Sequence, residues 1–109
     1  RAWGTIEWAD VALENKSRWT GSTYKSRVYN LMQLKAEAAA ALWEASAQAV
    51  VAGEGDRSEL QENEKKLRGM AKNYAREWLD YARASGQEDR KAMALCVSAA
   101  GSKKFCEGG

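Results

Sequence analysis

Two apolar stripes of matching length, joined by Gly53-Glu54-Gly55, constrain this chain more than any other feature. Between Tyr24 and about Ala52, the positions Val28, Leu31, Lys35, Ala38, Leu42, Ala45 and Ala49 step by three and four. Between Arg57 and about Ala84, Leu60, Glu64, Leu67, Ala71, Tyr74, Trp78 and Tyr81 step the same way. Side chains at that spacing share one face of a helix. Each stripe has a single polar interruption, Lys35 in one and Glu64 in the other. No proline stands anywhere to break a helix,. The run from Ala36 to Ala49 is rich in alanine, the best helix former,. Asp56-Arg57-Ser58-Glu59 has capping-box spacing and opens the second helix just past the glycines,.

A fold at the glycine turn sets the stripes face to face. Val28 meets Tyr81, Leu31 meets Trp78, Ala38 meets Ala71, Leu42 meets Leu67 and Ala49 meets Leu60. The two numbers sum to 109 in every pair, as an antiparallel hairpin requires. Alanines at 38 and 71 let the backbones approach near the middle, while aromatic residues gather at the open end. A helix of about 29 residues is roughly 43 Å long, so the hairpin is elongated.

The remaining segments flank that hairpin. Thr5 can cap a helix running to about Trp19, with Ile6, Ala9 and Leu13 on one stripe,. Ser85-Gly86-Gln87-Glu88 repeats the capping spacing and opens a short helix ending near Gly101,. Both helices are expected to cover the open end, over a cluster of Trp8, Trp19, Tyr24, Tyr29, Trp78 and Tyr81. The expected fold is all-α and a single domain over residues 1–109: a four-helix arrangement built on one long antiparallel helical hairpin (helices about 24–52 and 57–84) with short helices about 5–19 and 87–100,. No apolar run approaches the ~20 residues of a membrane span.

Catalytic chemistry finds little to work with. There is no histidine, so no Ser-His or Cys-His pair can form within the chain,. The nearest carboxylate pair, Glu77 with Asp80, reads as a solvated helix face, and the chain is expected not to be an enzyme. Its two cysteines stand too far apart for a zinc motif, and no calcium-loop pattern occurs,. No catalytic, cofactor-binding or metal residue is therefore expected. Cys96 and Cys106 read instead as a disulfide closing a short loop, worth about 2–3 kcal/mol. That pairing, with a first residue Arg1 rather than Met, points to an extracytoplasmic chain, secreted or periplasmic,.

Seventeen basic against fifteen acidic residues leave a net charge of +2, which calls for neither nucleic acid nor an anionic surface,. The leading expectation is therefore a protein-interaction module, of the inhibitor, immunity-protein or host-directed effector type, binding a macromolecular partner. Its expected docking strip lies on the second helix. Trp43 falls one position off the apolar stripe, and Ala39, Ala47 and Val50 line the same side, apolar enough to seat a partner or a second copy in a symmetric dimer,. Trp3 and Trp8 are candidate exposed anchors, because tryptophan is enriched at binding hot spots. The alternative is a nucleic-acid-binding module. From Asn15 to Ala36 the chain is basic and acid-free, with Lys16, Arg18, Lys25 and Arg27 interleaved by Trp19 and Tyr24,. A second acid-free run holds Lys65, Lys66, Arg68, Lys72 and Arg76, opposite residues 33–44 and so apart from the first. Glu14–Arg18, Glu62–Lys66 and Glu64–Arg68 are expected as helix ion pairs.

Overall fold

The chain turns back on itself at Gly53, and the computed structural model describes residues 1–19, 21 and 23–108. Five α-helices run through them: α1 (Ala2–Glu14), α2 (Tyr24–Ala52), α3 (Arg57–Ala84), α4 (Arg90–Ala100) and α5 (Lys103–Glu107). Among the described residues between α1 and α2, Lys16–Arg18 form a 3-10 turn. Among the described residues there is no strand, and no helix is long and apolar enough to cross a membrane. Thr20 and Ser22, between the first expected helix and Tyr24, lie outside the described residues.

The hairpin forms where expected, for the reasons expected. Gly53 ends α2 in the left-handed region (φ 68°), its N–H bonded to the Ala49 carbonyl, a conformation glycine adopts without a Cβ clash. Asp56 caps α3 by accepting the Glu59 N–H at 3.0 Å. The register also holds. Lys35 lies 4.2 Å from the Tyr74 ring centre, a pair whose numbers sum to 109. Tyr29 with Trp78, at 6.2 Å between ring centres, falls two short of that sum. The molecule is 49 Å long.

The buried line on α2 departs from the heptad stripe. It runs through Val28, Leu31, Ala36, Ala39 and Ser46. Val28 and Ser46 are 18 residues apart, which is five turns of a straight helix,. A strict heptad line drifts about 20° per repeat against such a helix, and by Ala45 it has reached solvent. On α3, Leu67, Ala71 and Trp78 are buried as expected, and Ala75, Leu79 and Ala82 join them because α4 covers that side.

Placement of the flanking helices differs more. Neither α1 nor α4 stays at the open end. α1 lies along α2, α4 lies mainly along α3, and both fold back to the hairpin's middle. There Ile6 and Ala99 join Ala39 and Ala71 in one core cluster. A second cluster holds Ala36, Ala75, Trp78, Leu79, Ala92, Cys96 and Cys106. No residue from 47 to 66 is buried, so the hairpin tip is a bare helix pair.

Helix limits shift with the caps. α1 starts at Ala2 because Thr5 does not cap it; the Thr5 hydroxyl donates to the Arg1 carbonyl within the first turn. It stops at Glu14, where the Asn15 side chain donates to the Val11 carbonyl at 2.8 Å. α4 starts at Arg90, since Asp89 takes the cap and accepts the Ala92 N–H at 3.0 Å. Beyond the last expected helix the chain forms α5, capped by Ser102. The open-end aromatic cluster is divided as well: Trp19 pairs edge-on with Tyr24, Tyr29 pairs with Trp78, and Trp8 is exposed.

The two aspartate caps should differ in weight. Asp56→Ala is expected to cost about 1 kcal/mol, an ordinary cap loss. Asp89→Ala should cost about 2 kcal/mol, because it also strips the hydroxyl of half-buried Tyr29 of its acceptor,. Urea unfolding followed by far-UV circular dichroism measures both, and equal losses would show the Tyr29 bond to be energetically idle.

Candidate functional site

Large apolar side chains left in water single out α1. The exposed ones among the described residues are Trp3, Trp8, Val11, Leu34 and Val51. Three stand on α1. Ile6 and Ala9 turn inward against α2, which leaves Trp3, Val11 and Trp8 within an outward arc of about 140°, at 100° per residue. The antiparallel register set by the Asp10–Lys35 ion pair puts Leu34 of α2 level with Val11. Trp8 is 60% exposed and Trp3 45%. Exposed apolar side chains that share one face mark contact sites on a protein surface.

A polar pin holds this face in place. The Lys35 ammonium, mostly buried, sits 2.6 Å from Asp10 Oδ1, 4.0 Å from Glu77 Oε2 and over the Tyr74 ring. One side chain thus ties α1, α2 and α3 together. The residue that interrupts the α2 stripe orients α1 so that its tryptophans point outward.

The strip expected on α2 is not an exposed surface. Ala39 is fully buried in the core. Trp43 is half-buried, packs on the second core cluster and donates its indole N–H to Glu64 Oε2 at 2.7 Å. The stripe interruption on α3 is therefore the acceptor for this tryptophan. α4 folds back far enough that Leu95 and Ser98 share a shallow groove with Ala40, Trp43 and Ala47. Ala47 and Val50 are partly exposed, near the bare tip. Of the residues expected to bind a partner, Trp3 and Trp8 lie on the α1 face, Trp8 exposed although the expected aromatic cluster also claimed it. Val11 joins them. The place of Trp8 five residues after Trp3, off the Ile6–Ala9 stripe, was the available signal.

The basic-aromatic segment partly assembles. Trp19 meets Tyr24 edge-on at 5.9 Å, and the Arg27 guanidinium lies 4.7 Å over the Trp19 ring. Lys16, Arg18 and Lys25 stay exposed around them. Of the three expected helix ion pairs, Glu64–Arg68 closes, at 3.7 Å; Glu14 and Arg18 are separated by the helix end at Asn15. Asp80 is held by Arg76, whose Nε lies 3.0 Å from both carboxylate oxygens, so Glu77 and Asp80 serve different cations. Among the described residues no group of three potential ligands is placed to hold a metal ion.

Two further links anchor the C-terminal third. The Tyr29 hydroxyl donates to Asp89 Oδ2, and that bond, with burial, raises the phenol above its ordinary range. Cys96 and Cys106 are bridged, with Cα atoms 6.0 Å apart, and both are fully buried. No family model matches the chain, and no curated protein or solved structure is similar to it.

Proposed function

We propose that this protein is an extracytoplasmic protein-interaction module that docks its partner on the outer face of α1. One observation carries the reading: three of the five exposed large hydrophobic residues among the described residues stand there, two of them tryptophan. Interface cores are enriched in aromatic residues, and tryptophan leads among hot spots. The Lys35 pin presents those rings on a rigid helix, which lowers the ordering cost of binding,. The Cys96–Cys106 bridge supports an oxidising compartment,. An inhibitor, immunity protein or host-directed effector would all use such a face.

The competing reading, a nucleic-acid-binding module on Lys16, Arg18, Trp19, Tyr24, Lys25 and Arg27, is less favoured. Arg27 already occupies a face of Trp19 on which a base would stack.

Capture from secreted or periplasmic extract, with and without nuclease, tests the proposal. The Trp3→Ala/Trp8→Ala double variant should keep its helicity and bind at least about 30-fold more weakly, the loss of one hot spot of about 2 kcal/mol or more. Nuclease should leave capture unchanged. Light scattering of the pure chain distinguishes a second copy from a foreign partner. Undiminished binding by the double variant would sink the assignment to α1.

A further inference from the structure

A second surface differs from α1 in every chemical respect. On α3, Lys65, Arg68, Lys72 and Arg76 recur every three or four residues within an arc of about 80°, and their ladder spans roughly 16 Å of helix. The disulfide brings α5 against it. Phe105 packs under two of these cations, with Lys72 Nζ 4.9 Å and the Arg76 guanidinium 5.3 Å from its ring centre. Arg76 also donates to the Phe105 carbonyl. Lys103 and Lys104, both exposed, precede Phe105 directly on the same short helix.

The pairing of these charges is what distinguishes the face. Arg68 and Arg76 have carboxylate partners, Glu64 and Asp80. Lys72 instead rests on an aromatic ring, which positions an ammonium without cancelling its charge. No ion pair within 4.0 Å engages Lys65, Lys72, Lys103 or Lys104 among the described residues. The face therefore keeps a line of uncompensated lysines.

Chemistry selects the partner. None of the exposed large hydrophobic residues stands on α3 or α5. Protein interfaces deplete lysine and need an apolar core, and membrane-surface helices insert apolar side chains. A line of lysine point charges without either suits a linear chain of phosphates, whose binding is driven by counterion release. We propose that the α3–α5 face binds the phosphate backbone of a single nucleic-acid strand, at a site separate from α1 and from the Lys16–Arg27 segment.

Fluorescence anisotropy of the oxidised chain with a labelled 20-nucleotide thymidine strand tests this. With four phosphates neutralised, raising KCl from 50 to 200 mM should weaken binding about 50-fold, at a slope of ~0.7 per phosphate. Lys103→Glu/Lys104→Glu should bind at least about tenfold more weakly at 50 mM, and its loss over the same salt range should fall to about sevenfold. Lys16→Glu/Arg18→Glu should bind like the parent chain. Both variants need unchanged circular dichroism and an intact disulfide; where Lys103→Glu/Lys104→Glu misfolds, Lys72→Gln takes its place with a smaller loss expected. Absence of binding at 50 mM KCl would overturn the proposal. So would full affinity in the α5 variant, loss in the Lys16/Arg18 variant, or stronger binding to phosphatidylglycerol vesicles or heparin than to the strand.

Discussion

Trp78→Ala is expected to destabilise the protein by about 3–5 kcal/mol, the upper range for truncating a buried aromatic residue. Trp78 is 1% exposed and sits where α2, α3 and α4 meet. Of the buried residues around it, Ala36, Ala75, Ala92 and the bridged Cys96 and Cys106 are small or covalently fixed, which leaves Leu79 and the partly buried Met32 and Met93 to move toward the space left behind. Part of the cavity would persist, and the cost rises with the volume that remains. Trp78→Phe should be far milder. It keeps most of the ring and removes a buried indole N–H that has no hydrogen-bond partner among the described residues,. Trp8→Ala supplies the contrast, with less than about 0.5 kcal/mol expected at so exposed a position,. Urea unfolding of the three variants ranks them. A Trp78→Ala chain within about 1 kcal/mol of the parent would mean that the three-helix junction repacks freely.

Replacing both Cys96 and Cys106 by alanine is expected to cost about 3 kcal/mol, the chain-entropy value for so short a loop. The effect should be local as well as global. α5 has five residues, well under the ~12 at which an isolated helix becomes even marginal in water. Apart from the bridge it is held by the Arg76 bond to the Phe105 carbonyl and by Lys72 and Arg76 against the Phe105 ring. Without the bridge, hydrogen exchange at Phe105 and Cys106 should lose its protection while the α2–α3 hairpin keeps its own. The bridge itself is checked by intact mass, which should fall two hydrogens short of the reduced chain. A cysteine-free variant with α5 still protected would show the aromatic-cation contacts to be sufficient. Cys96 and Trp78 share a core cluster, so their losses should not add,.

The hairpin was legible in the sequence down to its limits. Residues 24–52 and 57–84 are helical as read, because what ends them is local: a glycine free to take positive φ at 53 and an aspartate three residues before a backbone N–H at 56. The register was legible too, since two stripes of equal length joined by a short turn leave one way to face each other. The candidate site was only half legible. Trp3 could be read as an anchor, and Trp8 stood off the inward stripe of α1, but nothing local said that α1 would leave both uncovered.

Periodicity states which side chains share a face; it does not state which element comes to cover that face. The reach of α1 and α4 to the hairpin's middle was decided by contacts between residues far apart in the chain. Asp10 found Lys35, Ala99 joined the core beside Ala39 and Ala71, and the bridge folded α5 under Lys72 and Arg76. The same is true of Trp43, which a strict heptad stripe leaves outside; it falls on the straight-helix line between Ala39 and Ser46, packs on the core and donates its indole N–H to Glu64 of the facing helix. Local chemistry, written in glycines, caps and spacing, determined the helices and their pairing. Which faces remained for a partner depended on long-range packing, where each helix competes for the same apolar surface and only the folded chain shows which one covers it.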